Sequence, residues 1–375
     1  MWLGEGKGKD RLRIFIGAGG TGGHVFPSLC IARKLQEVGE CEVFFLGTRR
    51  GLERRVIEGL GFPVLYVFAR GWDRKFSWRT MQMLGENFLG LVFVGFYFFR
   101  YRPSLFLAMG SYLSLLGALW AKIFRIPIYL HEQNVYPGLA NRVIAKWAKK
   151  VFLSFEETRG YLPCSNAEIV VTGNPIRGEI AAWKGKREEA CRVLGLCPSL
   201  KTILVMGGSR GSSVVNRVFL EALEFMPQEG FQVIHITGEE DFARVVEKAK
   251  RRNFPYLVFP FFESMGLAYA ASNVALCRAG ANTVTELYFF GIPGILVPYG
   301  EATENHQLYN ARWLEKKRLA IVVEEEKLRA PFLAEKLLEF LHLANHHEAE
   351  NGAFLEGAAS RIAQEILSEW RRKEH

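Results

Sequence analysis

The sequence RIFIGAGGTGGH, Arg13 to His24, places a short apolar strand directly before a glycine-rich turn, and the following pattern predicts a helix over Pro27 to Val38. A second turn of this kind, GGSRGS at Gly207 to Ser212, follows a strand predicted at Thr202 to Met206. Glycine lets the backbone approach an oxyanion closely, and the next helix presents unpaired N–H groups and partial positive charge. The two turns therefore predict two phosphate-binding lobes that face a cleft.

The rest of the chain alternates strands with helices. Such alternation specifies a parallel, doubly wound sheet, and 375 residues exceed what one hydrophobic core usually supports. The turn-rich sequence Thr172 to Pro175 separates two repeats of this pattern. The further predicted strands are Glu42–Leu46, Leu105–Ala108, Ile128–Leu130 and Gln232–Thr237, and the further predicted helices are Gly51–Leu60, a long helix ending before Arg102, Ser114–Phe124, one near Glu188, and one after Ser212.

Composition narrows the class of protein. The net charge of +9 is compatible with nucleic acid, an anionic membrane surface or phosphorylated substrates, and charge alone does not choose among them. The six cysteines are scattered without a C-x-x-C pair, which indicates neither a zinc site nor a disulfide framework and favours a reducing cytoplasm. The first dozen residues lack the apolar segment of a secretory signal, so we expect no export.

An uncharged apolar run, Phe88 to Phe99, is too short for a bilayer-spanning helix, which needs about 20 apolar residues. The run fits a helix packed against a sheet. It also fits an interfacial surface, because aromatic and basic residues alternate just upstream. These residues are Arg70, Trp72, Arg74, Lys75, Phe76, Trp78, Arg79 and Met81.

The first turn also satisfies the dinucleotide pattern G-x-G-x-x-G through Gly17, Gly19 and Gly22. A dehydrogenase would need an acidic residue about 20 positions later, at the end of the second strand. Here that strand has its acid, Glu42, at the wrong end and is followed by Arg49. The pattern thus disfavours NAD and leaves NADP as an alternative.

A second constellation is RAGANTVTELYFFGIPGILVP, Arg278 to Pro298, in which a glycine-containing loop leads into a helix. Thr283-x-x-Glu286 fits a capping box, in which both side chains satisfy helix-end N–H groups. Alternatively, the Glu286 carboxylate accepts two hydrogen bonds from a vicinal diol such as a ribose. The residues alone leave both interpretations open.

Two polar clusters follow predicted strands. In ENHQLYNA, Glu304 to Ala311, the amides could read sugar hydroxyls, or Asn305 could cap a helix and Gln307 could be solvated. HEQN, His131 to Asn134, ends a strand of the first half, and its composition favours a functional site over a simple turn.

Together these motifs closely resemble the MurG family, the UDP-N-acetylglucosamine:lipid I N-acetylglucosaminyltransferases of peptidoglycan synthesis. The resemblance covers nearly the whole chain and rests on ordered motifs. These are GGTGGHVFP from Gly19, HEQN followed by Gly138 and Asn141, TGNPIR from Thr172, GGSRG from Gly207, RAGANTVTE from Arg278, and HQ before Asn310 and Ala311.

The resemblance implies a GT-B fold, an α/β architecture of two Rossmann-like doubly wound parallel-sheet domains. It implies an acceptor-binding, membrane-associated domain at 11–177, a UDP-N-acetylglucosamine-binding domain at 178–352, and a C-terminal helix at 353–375 that packs back toward the first domain. The final helix carries apolar residues at helical spacing. They are Leu355, Ala358, Ile362, Ile366 and Trp370.

The family's donor and acceptor contacts carry over by position. Ser209 and Arg177 would contact the diphosphate, the backbone of Phe262 the uracil, Glu286 the ribose, and Gln307 the sugar hydroxyls. The remaining residues would line the donor pocket or complete the cleft from the first lobe. The pocket residues are Ala281, Asn282, Thr283, Val284 and Thr285, and the first-lobe residues are Thr21, Gly22, Gly23 and Asn134.

The implied reaction is an inverting displacement in which the 4-hydroxyl of an N-acetylmuramyl acceptor attacks the anomeric carbon of the donor. His24 is the first candidate for the base and Glu132 the reserve, although His24 could instead contact acceptor phosphate or pack the turn. No D-x-D motif occurs, so we expect metal-independent transfer without a cofactor. The sequence GSYLSLL from Gly110 departs from the family's GGY-x-S-G-P, and Ser111 either clashes or substitutes there.

The expected partners are UDP-N-acetylglucosamine, lipid I and an anionic membrane surface, and not nucleic acid. Because lipid I carries a polyprenyl tail, the resemblance implies peripheral attachment at the cytoplasmic face of the cell membrane, with a role in cell-wall biogenesis, cell shape and division. The alternatives are another GT-B lipid glycosyltransferase, a UDP-N-acetylglucosamine epimerase, and a noncatalytic nucleotide-sugar sensor.

Overall fold

The computed structural model describes residues 11–19, 22–39, 41–49, 56–69, 78–163, 166–208, 211–300, 303–343 and 352–374. Within 78–84 and at 303, 352–353 and 373–374 only the backbone is described. The chain divides into two compact units. Unit 1 contains the described residues of 1–133, 137–175 and 357–375, and unit 2 contains those of 134–136 and 176–356.

Unit 1 is built on a sheet whose seven described strands are all parallel, in the order β3-β2-β1-β4-β5-β6-β7. The strands are β1 Leu12–Gly17, β2 Cys41–Gly47, β3 Val64–Tyr66, β4 Leu105–Ala108, β5 Ile128–Glu132, β6 Lys150–Leu153 and β7 Glu168–Val171. The connecting helices are α1 Gly22–Val38, α2 Trp78–Tyr101, α3 Tyr112–Ile123 and α4 Leu139–Ala145, with 3-10 turns at Glu58–Leu60 and Glu156–Tyr161.

Unit 2 repeats this plan with six described parallel strands in the order β10-β9-β8-β11-β12-β13. They are β8 Lys201–Met206, β9 Phe231–Ile236, β10 Tyr256–Phe259, β11 Val274–Cys277, β12 Gly294–Leu296 and β13 Ala320–Val322. The helices are α5 Gly178–Ala181, α6 Arg187–Leu194, α7 Ser213–Ala222, α8 Phe242–Ala249, α9 Met265–Ala271, α10 Ala281–Phe290, α11 His306–Lys316, α12 Ala330–Leu343 and α13 Gly352–Glu356, with 3-10 turns at Leu223–Phe225, Thr303–Asn305 and Glu325–Lys327.

The predicted parallel, doubly wound sheets are confirmed in both units. In each sheet the strand order reverses between two central strands, β1 and β4 in unit 1 and β8 and β11 in unit 2. Open parallel sheets bind ligands outside the carboxyl ends of strands at such a reversal. The turns after these four strands are therefore where a site is expected.

The predicted start of α1 at Pro27 is wrong. The helix begins at Gly22, inside the glycine-rich motif, and Pro27 lies in its second turn. Proline is tolerated best in the first turn, which is why it suggested a later start. Of the helix predicted at Gly51 to Leu60, residues 51–55 lie outside the described residues, and 56–60 are helical.

The final helix, α14 Ala358–Glu374, packs within unit 1. Its apolar face, which includes Ile362 and Ile366, is buried in the core that also contains residues of β1 and α1. Its polar face is anchored by Glu369, which accepts from the Tyr129 hydroxyl and pairs with Lys149. The chain therefore returns to unit 1 after completing unit 2.

Helix α2 packs through only part of its surface. Val94 and Phe98 are buried in the core of unit 1, whereas Phe88, Phe96 and Phe99 are 66%, 58% and 65% exposed. The interpretation as a helix packed against a sheet is thus confirmed for one face of α2, and the other face is exposed. Among the described residues, no helix combines the length and apolarity needed to cross a bilayer.

Candidate active site

In unit 1 the turns after β1 and β4 lie against each other. A Cβ on Gly17 would approach the Cα of Ser114 to 3.0 Å, and the Ser114 hydroxyl contacts the carbonyl oxygens of both Gly17 and Gly110. Gly110 has φ +94°, and a Cβ there would lie 2.8 Å from Cε1 of His24. Glycine at 110 thus leaves room for the His24 ring. Gly22 and Gly23 open α1 beside it, and Thr21 lies outside the described residues.

Ser111 occupies a backbone conformation that glycine ordinarily holds. Its φ of +83° and ψ of 165° lie in a region where a side chain costs about 1–3 kcal/mol. Its buried hydroxyl oxygen has no hydrogen-bond partner among the described residues. The serine is therefore accommodated in a turn whose backbone conformation would be unstrained only with glycine.

Side chains of the HEQN motif form hydrogen bonds with His24 and with each other. Gln133 Oε1 lies 3.1 Å from His24 Nδ1, and Gln133 Nε2 lies 3.0 Å from His131 Nδ1. His131 is completely buried at the end of β5, and this burial lowers its pKa to about 4. His131 is therefore neutral near pH 7.

The two candidate bases differ in accessibility. Glu132 is completely buried, and its Oε2 accepts a hydrogen bond of 2.7 Å from Asn141 Nδ2. The backbone carbonyl of Glu132 also accepts from the Ser154 hydroxyl. His24 is only partly buried in the first turn of α1. A substrate hydroxyl can therefore approach His24 more readily than Glu132.

In unit 2 the turn after β8 is also held by close backbone contacts. Gly211 has φ +79°, and a Cβ there would lie 2.1 Å from the carbonyl oxygen of Thr237. Ser212 caps α7 and accepts a hydrogen bond of 2.8 Å from Arg278 Nη2. Ser209, the expected diphosphate contact in this turn, lies outside the described residues.

The capping-box interpretation of Thr283 and Glu286 is wrong. Helix α10 begins at Ala281, its N-cap is Gly280, and no side chain caps it. Thr283 is therefore the third residue of the helix, and Glu286 lies a further turn along, where no orphan N–H remains.

Glu286 lies instead in a buried polar cluster. Its Oε2 accepts a hydrogen bond of 2.8 Å from the Tyr269 hydroxyl, and its Oε1 lies 3.8 Å from Arg177 Nη2. Burial raises the pKa of Glu286, and the nearby Arg177 and Tyr269 oppose that rise. Two predicted site residues, Arg177 and Glu286, are thus brought together.

Gln307 is held by backbone rather than simply solvated. Its Oε1 accepts hydrogen bonds from the N–H groups of Tyr299, at 3.0 Å, and Ala279, at 3.3 Å. Asn305 stands at the N-cap position of α11 with φ +54° and makes no side-chain cap. The Gln307 oxygen is thus engaged by two backbone donors.

Asn134 belongs to unit 2, although the sequence assigned it to the first lobe. Its Oδ1 accepts a hydrogen bond of 3.1 Å from Nδ2 of Asn310, which also donates to the carbonyl of Ala279. The Asn310 Oδ1 in turn accepts from the Val135 N–H. These contacts tie the end of HEQN to α11 and to the loop after β11.

The other expected donor residues lie along α10 and near β10. Val284 and Thr285 are buried, and the Thr285 hydroxyl donates to the Ala281 carbonyl one turn earlier, so this hydroxyl is engaged within the helix. Asn282 and Thr283 are partly exposed. The ring of Phe262 packs on Phe259, which ends β10.

Sequence reasoning assigned no role to Tyr269, Arg278 or Gln133. Tyr269 is the aromatic residue of α9, whose sequence is MGLAYAA, and a buried tyrosine hydroxyl needs a hydrogen-bond partner, which is the signal for a polar cluster here. Arg278 pairs with Glu325 at 2.6 Å and holds Ser212. No group of three or more potential metal-ligating His, Cys, Asp or Glu side chains occurs within the described part of the chain.

The chain is similar to known proteins over most of its length. The N-terminal domain of glycosyltransferase family 28 matches residues 14–153, and the C-terminal domain of that family matches 202–366. A UDP-N-acetylglucosamine--N-acetylmuramyl-(pentapeptide) pyrophosphoryl-undecaprenol N-acetylglucosamine transferase from Caldanaerobacter subterraneus subsp. tengcongensis is 35% identical, covering 87% of this chain and 90% of that relative.

A transferase of the same name from Syntrophotalea carbinolica is also 35% identical, covering 94% of this chain and 97% of the relative. The crystal structure of Acinetobacter baumannii MurG superposes with a TM-score of 0.74 at 25% identity, covering 95% of this chain and 99% of that one. The similarity therefore extends through both units.

Proposed function

The chain belongs to glycosyltransferase family 28 and, within it, to the MurG family, and from this premise we propose that it transfers N-acetylglucosamine to the 4-hydroxyl of N-acetylmuramate in lipid I. The donor is UDP-N-acetylglucosamine and the product is lipid II, with the new bond in the β-1,4 configuration. The GT-B fold and the family make the chain a UDP-N-acetylglucosamine-dependent hexosyltransferase.

Unit 2 binds the donor in this proposal. The single observation that carries this assignment is the buried Glu286 carboxylate, held by Tyr269 and Arg177 in the second turn of α10 rather than at a helix cap. A carboxylate has about four lone-pair positions, so Oε1 and Oε2 can still accept from a ribose diol. Gln307 supplies amide donors for the sugar, and Ser209, Phe262 and the residues of α10 complete the donor site.

Unit 1 binds the acceptor and supplies the base. The support is the position of His24 in the first turn of α1, between the turns after β1 and β4, where it is accessible and held by Gln133. As the acceptor oxygen forms its bond to the anomeric carbon, the hydroxyl proton passes to His24. The bond from that carbon to the β-phosphate oxygen breaks, and UDP departs with the electron pair.

Charge on the departing diphosphate is stabilised by the chain itself in this proposal. The N-terminus of α7, capped by Ser212, presents N–H groups and partial positive charge, and Arg177 adds a full one. We therefore expect transfer to continue in excess EDTA. Complete loss of activity that Mg²⁺ or Mn²⁺ restores would contradict this part of the proposal.

The exposed face of α2 attaches the enzyme to the membrane that holds the acceptor. Phe88, Phe96 and Phe99 are more than half exposed along that helix, and Arg100 and Arg102 follow them. Apolar side chains beside basic ones favour an anionic bilayer surface. In this proposal the positive net charge attracts anionic lipid and phosphorylated substrates rather than nucleic acid. The attachment is peripheral and on the cytoplasmic side of the membrane.

Vesicle co-sedimentation tests this attachment. The protein should bind anionic vesicles more than zwitterionic ones, and Phe96→Ser with Phe99→Ser should reduce that binding. Phe225→Ser in unit 2 removes an equally exposed aromatic ring and is the matched control. Equal sedimentation of all variants would contradict membrane attachment through α2.

The decisive test of function is product identification. Labelled UDP-N-acetylglucosamine is incubated with the protein, with and without a lipid I analogue. Appearance of a labelled disaccharide lipid only with the analogue supports the proposal. Epimerised sugar without acceptor would indicate an epimerase, binding without UDP release would indicate a sensor, and transfer only to another lipid would indicate a different glycosyltransferase.

A further inference from the structure

Three side chains of unit 1, His24, Gln133 and His131, form a hydrogen-bonded chain that we call the histidine–glutamine chain. Gln133 lies between the two rings, 3.1 Å from His24 Nδ1 and 3.0 Å from His131 Nδ1. At the far end, His131 Nε2 lies 3.5 Å from the carbonyl oxygen of Gly173. Gln133 and His131 are 1% and 0% exposed, so water does not compete for these contacts.

The carbonyl oxygens determine which groups donate. Gln133 Nε2 also lies 3.3 Å from the backbone carbonyl of His131, and a carbonyl oxygen only accepts. The amide nitrogen must therefore point toward His131, where its two hydrogens meet that carbonyl and His131 Nδ1. The amide oxygen of Gln133 is then the atom that faces His24.

The ring protons follow from this orientation. His131 Nδ1 accepts, so the proton of the neutral His131 ring is on Nε2, which points at the Gly173 carbonyl. Burial lowers the pKa of His131 to about 4, which keeps this ring neutral. Because Gln133 Oε1 only accepts, His24 Nδ1 must carry a proton. The lone pair of neutral His24 is then on Nε2.

We propose that Gln133 is the positioning residue that holds His24 in the Nδ1–H tautomer, so that Nε2 is the nitrogen that takes the acceptor proton. This proposal rests on the proposed function of His24 as the base. When Nε2 receives the hydroxyl proton, the Nδ1–H group keeps its bond to the Gln133 oxygen. The amide stabilises the imidazolium through its dipole and does not carry the proton onward.

The first experiment reads the tautomer directly in the wild-type protein. Histidine is labelled with ¹⁵N, and long-range ¹H–¹⁵N spectra of the eight histidines are recorded with His24 assigned by its loss in His24→Gln. Neutral histidine in water favours the Nε2–H form. We expect His24 to be protonated at Nδ1 instead. A His24 ring protonated at Nε2 would overturn the proposal, whatever reaction the protein catalyses.

The second experiment separates positioning from general damage to the fold. Gln133→Leu removes both amide contacts, and we expect kcat to fall about 10- to 100-fold, part of the ~10²–10⁴-fold that a general base supplies. The KM for UDP-N-acetylglucosamine should stay within about 3-fold, because Gln133 has no place in the donor site. The spectrum of the variant should show His24 reverting toward Nε2–H.

Gln232→Leu is the matched control. Gln232 is equally buried, but in unit 2, where it binds the backbone of Cys197 and the Thr202 hydroxyl. Gln232→Leu should lower stability without lowering the kcat of the folded fraction.

An unchanged kcat in Gln133→Leu would overturn the proposal. If Gln133→Leu does not fold, the tautomer of His24 measured in the wild-type protein tests the proposal by itself. If the wild type forms no product, the proposed function fails, while the tautomer still tests the orientation by Gln133.

Discussion

Within the described residues, His131 of unit 1 and His235 of unit 2 are completely buried and each ring binds a side-chain amide, but the two arrangements end differently. In unit 1, His131 binds Gln133, which binds the accessible His24. In unit 2, Nε2 of His235 lies 3.0 Å from Oδ1 of Asn216. The Asn216 amide nitrogen donates to the Thr237 carbonyl and to a buried aspartate, Asp241.

The two arrangements differ in the groups to which their amides are hydrogen-bonded. The amide in unit 1 reaches the partly exposed imidazole ring of His24, whereas the amide in unit 2 ends on groups that only accept. Thr237 is also the residue against which Gly211 packs. The arrangement in unit 2 thus holds the glycine turn and α7 in place, and the arrangement in unit 1 orients the ring that we propose as the base.

The largest expected effect concerns His24, the base that we propose in unit 1. His24→Ala should lower kcat by about 10²–10⁴-fold, because it removes the general base, and should leave the Kd for UDP unchanged. Steady-state kinetics and calorimetry give the two quantities. If turnover stays at the wild-type level, His24 is not the base, and Glu132 becomes the residue to test.

The next largest effect concerns the binding of UDP by unit 2. Glu286→Ala should weaken UDP binding by about 10- to 100-fold, since hydrogen bonds to a charged group contribute about 1.5–3 kcal/mol. Tyr269→Phe, which removes one donor to Glu286, should have a smaller effect in the same direction. Isothermal calorimetry measures both. Glu224→Ala, an exposed carboxylate of unit 2, is the control, and unchanged affinity in Glu286→Ala would remove the diol contact.

The two buried histidines predict a shared pH dependence of stability. Burial lowers the pKa of His131 to about 4 and that of His235 to about 3. Below pH 6.5 the unfolded chain binds protons at these two rings that the folded chain does not bind. The contribution of the neutral rings to the free energy of unfolding is therefore complete above pH 6.5 and is lost as pH falls toward 4. Each histidine should account for about 1.4 kcal/mol of unfolding free energy per pH unit in this range.

Urea unfolding at pH 7, 6 and 5 measures this loss. His131→Asn and His235→Asn should each make the pH dependence shallower than that of the wild type. A wild-type unfolding free energy that stays constant from pH 7 to pH 5 would show that the two rings are not held neutral.

The smallest effect concerns the strained turn of unit 1. Ser111→Gly should raise the free energy of unfolding by about 1 kcal/mol, because relief of strain exceeds the added entropy of the unfolded chain. Ser199→Gly is the control, since Ser199 is exposed and is not among the residues with positive φ, and it should lower stability. Equal effects of the two substitutions would show that Ser111 is unstrained.

Periodicity and glycine placement predicted most of the fold. Strands β4 and β8 lie at or within a residue of their predicted limits, and helix α7 begins directly after Ser212 as predicted, because alternating apolar segments and turns are local properties. The start of α1 was wrong because a proline in its second turn was read as a first-turn residue. The roles of Glu286 and Gln307 stayed open at the sequence level, since a helix start and a binding site use the same residue types.

The sequence by itself determined the two parallel-sheet units, the glycine turns that follow β1 and β8, and the family, because all of these are recorded in short ordered motifs. Only the tertiary structure decided what surrounds each polar side chain. Gln133 meets His24 across 109 residues of sequence, and Asn310 meets Asn134 across 176. Burial, proton position and hydrogen-bond direction depend on such distant partners, which no local pattern specifies.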